Sequence, residues 1–163
     1  MIEKFYSGEI DLIISQLDLL RDAPDDIVCK FAFKGKMYLM LPKGHPLCGR
    51  KSLSLSDMTN LHIASLKHNI FMPAVNLLRE WFRANHYDVS IYSDESITNL
   101  NTLQTYVVAK NAVGLVTWNA LETTIDNRYV ELVAVEEHYP GHDFYIAYRK
   151  KNEEKLKPFL ECI

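Results

Sequence analysis

Cysteine is scarce in this chain of 163 residues, and Cys29, Cys48 and Cys162 are odd in number and far apart. Such spacing supports neither a disulfide framework nor a zinc site, so a reducing cytoplasm is the simplest setting. Long hydrophobic runs are missing as well. The opening Met1-Ile2-Glu3-Lys4-Phe5 has no apolar stretch behind a basic one, which predicts neither a signal peptide nor a membrane span. No single sign of charge dominates: 18 basic against 21 acidic residues give a net charge of -3, and no Lys or Arg run precedes Arg149-Lys150-Lys151. Nucleic acid is therefore poorly supported as a direct partner of these residues. There is no internal repeat with a period of about 20 to 50 residues, which argues against a solenoid. Phosphate loop, dinucleotide fingerprint and nucleophile elbow are likewise absent.

What is present is ordinary globular material, 48% hydrophobic and 24% charged, enough for one or two compact lobes. The chain is organised around residues 36–47. Met37 to Leu41 are apolar at every position, so both faces of that strand should be covered, as in a sheet between helices. Pro42 cannot donate to a ladder and ends the strand; Gly44 and Pro46 seal the turn after it.

Taken in order, residues 1–8 read as the tail of a helix closed by Gly8. Residues 9–15 form a buried strand, with Ser15 and Gln16 the first polar groups beyond its end. Residues 17–26 read as an Asp-rich loop, 27–33 and 36–41 as strands, and Ser56 as the candidate cap of a short turn. A strand over 62–66 runs into Lys67-His68-Asn69. Pro73 opens a helix with Ala74, Leu77, Leu78 and Trp81 on one stripe, widened by Val75 and Phe82, while Arg79, Glu80 and Arg83 face water. That width suits core burial or a subunit contact. A strand over 89–92 leads through the polar residues 93–99 to a helix buried by Leu100, Leu103, Val107 and Val108. Ser96, Thr98 and Asn99 could hold a ligand at that helix N-terminus or simply cap it. Strands over 112–117, 129–135 and 144–148 and a helix over 154–160 complete the chain. This alternation points to an α/β fold with two lobes.

Two histidine patterns invite chemistry. His45 lies in a Gly-His-Pro turn with no nucleophile fixed near it, so a structural turn is the better account. His138 and His142 are four apart, but Pro140-Gly141 between them forbids a regular helix and with it the usual metal pair. No metal, no cofactor and no catalytic set is expected.

Gly8-Glu9-Ile10-Asp11-Leu12-Ile13-Ile14, Tyr38 to Pro42 followed by His45-Pro46-Leu47, and Leu53-Ser54-Leu55-Ser56-Asp57-Met58 together resemble the effector-binding domain of LysR-type transcriptional regulators. Thr105 to Ala109 followed by Ala112 to Val116 is similar to that family's helix-to-strand segment. Lys110 and Ala112 stand where the family usually has glycines, and Thr117 near its usual proline. The resemblance implies a type 2 periplasmic-binding-protein-like fold, two Rossmann-like lobes joined by two crossover strands. Lobe I would be residues 1–60 plus 130–163, lacking the family's first strand, helix and strand; lobe II would be 61–129, with crossings near Ile63 and Val130. It also implies a small effector in the cleft, lined by Ser15, Gln16, Ser65, Lys67, His68, Ser96, Thr98 and Thr117. The same residues fall at predicted strand ends or helix starts, where an open α/β sheet exposes backbone donors. Lys67 and His68 favour a small organic anion, although Lys67 could equally be a solvated loop charge.

The function implied is ligand sensing, without enzymatic activity, in the cytoplasm, with DNA bound only through a helix-turn-helix domain missing from these residues. A stand-alone solute-binding protein or solute-binding-like enzyme is the alternative. An incomplete lobe I sheet would leave an edge open to pairing, which favours a homodimer.

Overall fold

Apolar residues at every position of β3 (Tyr38–Pro42) bury it along its whole length, as its sequence requires. The computed structural model describes residues 2–67, 72–116 and 125–161. Around β3 lie α1 (Ile2–Tyr6), β1 (Leu12–Gln16), α2 (Leu17–Leu20), β2 (Ile27–Phe33), α3 (Leu55–Met58), β4 (His62–Ser65) and α4 (Met72–Ala84). They are followed by β5 (Ser90–Ser93), α5 (Leu100–Lys110), β6 (Val113–Val116), β7 (Val130–Ala134), a 3-10 turn (Pro140–His142), β8 (Phe144–Arg149) and α6 (Glu153–Leu160). Among the described residues no helix is long and apolar enough to cross a membrane.

Two sheets result. One has the order β5-β4-β6-β3-β7, the other β1-β8-β2. In the first, β4 runs parallel to β5 and β6, whereas β3 is antiparallel to β6 and β7. Its two faces feed two cores. Leu39 and Leu41 pack with Met58, Leu78 and Phe82; Tyr38 and Met40 pack with Leu103, Val107 and Val130. Because successive strand residues point to opposite faces, an apolar run needs a cover on each side, and α4 and α5 supply them. The second sheet is wholly antiparallel and buries Phe5, Ile13, Leu20 and Ala147 on one face.

Several local expectations change. The stretch expected as loop over 17–26 begins with α2, because Leu20 is 4% exposed and one helical turn is what carries it inward. Ser54, not Ser56, precedes α3 as its cap, and the Asp57 carboxylate accepts from the Ser54 amide at 3.0 Å. Those bonds hold the Asp57 carboxyl below the usual carboxylate range. Arg79 does not simply face water: its guanidinium donates to the Ile91 carbonyl at 2.6 and 3.1 Å. Val108 is 43% exposed, so the buried stripe of α5 is narrower than its sequence suggests. The turn out of α5 is made by Asn111 in the left-handed region, φ 48°, a conformation that asparagine tolerates better than most residues and that usually calls for glycine.

The division of the chain also moves. The sequence reading placed residues 36–41 and 130–135 in lobe I, but β3 and β7 belong to the same sheet as β4, β5 and β6. The two passages between sheets are residues 34–37 and 135–143, not the neighbourhoods of Ile63 and Val130. The cause is pairing: β3 finds partners in both β6 and β7, and an apolar run by itself does not say which neighbours it will take.

Candidate functional site

The strand order β5-β4-β6 places the candidate site. From β4 the chain crosses through α4 to β5 on one side, and from β5 through α5 to β6 on the other side of β4. The two crossover helices therefore lie on opposite faces, α4 with Leu78 and Phe82 in one core and α5 with Leu103 and Val107 in the other. In open α/β sheets ligands bind beyond the carboxyl ends of adjacent parallel strands where the winding reverses, which in this sheet is between β4 and β6.

Its rim is polar. Ser65 and Ser93 end β4 and β5 in register; their hydroxyls are 2.8 Å apart, and the Ser65 hydroxyl also reaches the Tyr92 carbonyl at 3.3 Å. Ser65 is buried at 3% exposure, so its hydroxyl must keep partners or lose stability. The Lys67 amide donates to the Ile97 carbonyl at 2.7 Å, and its ammonium pairs with the Glu95 carboxylate. Ser96 donates from both amide and hydroxyl to Asp94, at 2.9 and 2.6 Å; these bonds draw the Asp94 carboxyl below its ordinary range. Asn99 caps α5, its side-chain oxygen accepting from the Thr102 amide at 3.0 Å. The Thr102 hydroxyl oxygen accepts from the amides of Thr98 and Asn99, both at 3.0 Å. Behind the rim, Tyr92 meets the Tyr106 hydroxyl at 3.3 Å, and burial first, then that bond, pushes its pKa up to about 12. It is a neutral phenol at any physiological pH.

These bonds gather Ser65, Lys67, Ser96 and Thr98 at the ends of β4 and β5 and the start of α5. Ser15 and Gln16 lie elsewhere, as the last residues of β1 in the other sheet, opposite Tyr145 and Phe144. They are not part of the set those bonds join. His68 and Thr117 lie outside the described residues. Ser93, Asp94 and Glu95 escaped the sequence reading as site residues. The signal that could have found Ser93 is that both strands end on serine and point the same way.

The rim is a set of hydroxyls, amides that donate within the rim itself and one cation with its own counter-ion, a polar surface suited to a small polar molecule. The Ser96 hydroxyl meets the Asp94 carboxylate, but together with the Ser96 amide it closes the turn that leads into α5. His45 serves its turn instead, its Nδ1 accepting from the Leu47 amide at 3.2 Å. Among the described residues no cluster of His, Cys, Asp and Glu could hold a metal ion.

Comparison with known proteins gives the family and the fold. The model of the LysR substrate binding domain matches residues 1–163. No curated protein matches. Among solved structures, the regulatory domain of Synechocystis PCC6803 CcmR in complex with 2-PG is 12% identical over 98% of this chain and 74% of that one, with a TM-score of 0.69. Full-length CbnR complexed with its target DNA is 14% identical over 98% of this chain and 54% of that one, TM-score 0.77. The effector-binding domain of QuiR with shikimate is 16% identical over 91% and 66%, TM-score 0.66. The chain thus spans about half of a full-length regulator such as CbnR and about three quarters of the CcmR regulatory domain. At these identities the likeness is one of fold, the type 2 periplasmic-binding-protein-like arrangement of mixed α/β sheets. Matched by that model from its first residue to its last, the chain belongs to the LysR substrate binding domain family.

Proposed function

We propose that this chain is the small-molecule sensor of a LysR-type transcriptional regulator, taking its effector at the carboxyl ends of β4, β5 and β6 and controlling a DNA-binding domain outside these residues. The observation that carries the reading is the Ser65–Ser93 hydroxyl pair at the carboxyl ends of β4 and β5, where β4 is one of the two strands that flank the reversal of winding. Two lobes, each built on one sheet, would move about the passages at 34–37 and 135–143, and Ser15 and Gln16 would face the effector from the opposite lobe. His68 and Thr117 would complete the lining.

The effector is a small organic anion. Supporting this, Lys67 holds its ammonium beside Glu95, whose side chain is 85% exposed; an exposed pair of this kind is weak and can be exchanged for a ligand carboxylate. The N-terminal amides of α5 add positive potential. The rim is read as a binding surface, its Ser96–Asp94 contact being a turn bond within one loop. A homodimer in the cytoplasm fits the place of β1 at the margin of its sheet among the described residues and the free thiols of Cys29 and Cys48.

Isothermal titration of the chain with shikimate, succinate and benzoate tests the reading. Binding of at least one acid is expected, weakened about tenfold by Ser65→Ala, since a buried donor to the ligand is lost, and weakened further at high salt by Lys67→Met. Absence of binding by all three, or binding indifferent to both substitutions, would overturn it.

A further inference from the structure

The two sheets meet at a buried polar joint that shares no residue with the β4–β5 rim. Both passages between the sheets run through it, and α2 lies against α4 and the 140–142 turn. Asp18 on α2 has a fully buried side chain. Its Oδ2 accepts from the Tyr139 hydroxyl at 2.5 Å and its Oδ1 from Arg21 Nε at 2.9 Å. Tyr139 stands in the second passage and packs on Trp81 of α4, ring centroids 5.2 Å apart.

Asp143, at the end of the same passage, ties the strands of the joint together. Its Oδ1 accepts from the Gly35 amide in the first passage at 3.1 Å, its backbone carbonyl from the Leu17 amide at 2.8 Å, and its Oδ2 lies 3.2 Å from His138 Nε2. Nothing here has slack. A Cβ on Gly35 would stand 1.9 Å from the His142 carbonyl oxygen, and one on Gly141 2.2 Å from Asp18 Oδ2. His142 is itself buried, with Nδ1 lacking a partner.

We propose that Asp18, Tyr139 and Asp143 form a lock that fixes the angle between the two sheets, with the Asp143–Gly35 bond as pivot and the Asp18–Tyr139 bond as the part that opens. The pivot joins one passage to the other, so turning about it leaves both sheets intact. The Asp18–Tyr139 bond instead joins α2, beside β1, to the segment packed on α4, so the same turn pulls its partners apart. A carboxylate held out of water needs its donors. Opening hands Asp18 Oδ2 from Tyr139 to water while Arg21 keeps Oδ1, so the carboxylate has donors on either side of the turn, as a switching element requires. The lock acts without a ligand and stands or falls apart from the effector reading.

Spin labels test it on the full chain with Cys48 and Cys162 replaced by serine, one label on the exposed Cys29 of β2 and one on Asn101→Cys of α5. A single narrow distance distribution is expected for the parent. Tyr139→Phe, which keeps the ring, should broaden or split it while the far-UV spectrum and a cooperative melt persist, and Asp18→Asn should do the same. An unchanged distribution beside a lowered Tm would overturn the lock, leaving a mere brace. Amide exchange adds a second readout: the Gly35 amide, which donates across the pivot, should exchange as slowly in Tyr139→Phe as in the parent, and an acceleration of tenfold or more there would overturn the pivot.

Discussion

The five-stranded and three-stranded sheets solve the same burial problem with unequal means. Every residue of β3 and of β6 is buried, because α4 closes one face and α5 the other. In the three-stranded sheet Ile14, Phe31 and Phe33 remain 46%, 53% and 42% exposed, and the helix that follows it, α6, contributes no buried residue. The margins differ too. β2 carries Lys30 and an irregularity between Phe31 and Phe33, both of which discourage pairing along an edge, while Leu12 to Ser15 of β1 carry no charge. Cohesion thus resides in the larger sheet, and the smaller one is the part that a further covering element would stabilise.

The largest effect that can break this contrast is a pair of truncations. Leu39→Ala empties space in a core closed on both sides and should cost about 3 to 4 kcal/mol. Ile14→Ala removes a side chain half in water and should cost well under about 1 kcal/mol. Urea unfolding of both variants measures the difference. Comparable losses would mean that the smaller sheet is as well covered as the larger one.

Next comes the joint between them. Burial first, and His138 second, push the His142 pKa down to about 4 from an ordinary 6.5. The folded state then binds fewer protons than the unfolded state between those values, so stability falls as pH falls. Its contribution is whole above about pH 6.5 and lost by about pH 4, up to roughly 3 kcal/mol for a shift of that size. Denaturation midpoints from pH 8 to 4 should show this slope, and His142→Asn should flatten it. A slope that survives the substitution would assign the acid sensitivity to carboxylates.

Much of the larger sheet could be read from the chain. Five apolar residues before Pro42 announced a strand covered on both faces, and residues 62–66, 89–92 and 112–117 foretold the parallel strands at whose ends the rim lies. Partnership could not be read. Nothing local tells β3 to sit between β6 and β7, so the sheet it joins could not be read. Ser65 and Ser93 are 28 positions apart and meet only through strand register. Asp18 sits in an Asp-rich segment that looks like solvated loop, yet it is buried by a partner 121 positions away. Sequence reports what a residue prefers, and the remainder depends on which distant group arrives.

The smallest effect concerns how the covering helices begin. Asn99 caps α5 through its side chain, and the Thr102 hydroxyl answers. Asn152 precedes α6 without a side-chain cap, donating instead to Asp11 at 2.9 Å. Loss of a working cap typically costs about 1 kcal/mol. Asn99→Ala should therefore lower stability by about that amount, and Asn152→Ala by less than half of it, with equal m-values in urea. Because α5 roofs one of the two cores of the larger sheet, the loss at Asn99 should appear in the global transition. Fraying of α6 should instead appear as faster amide exchange over 153–160 with the midpoint nearly unmoved. If the two substitutions lower the midpoint equally, α6 is as much a part of the cooperative unit as α5, and the smaller sheet is no weaker than its partner.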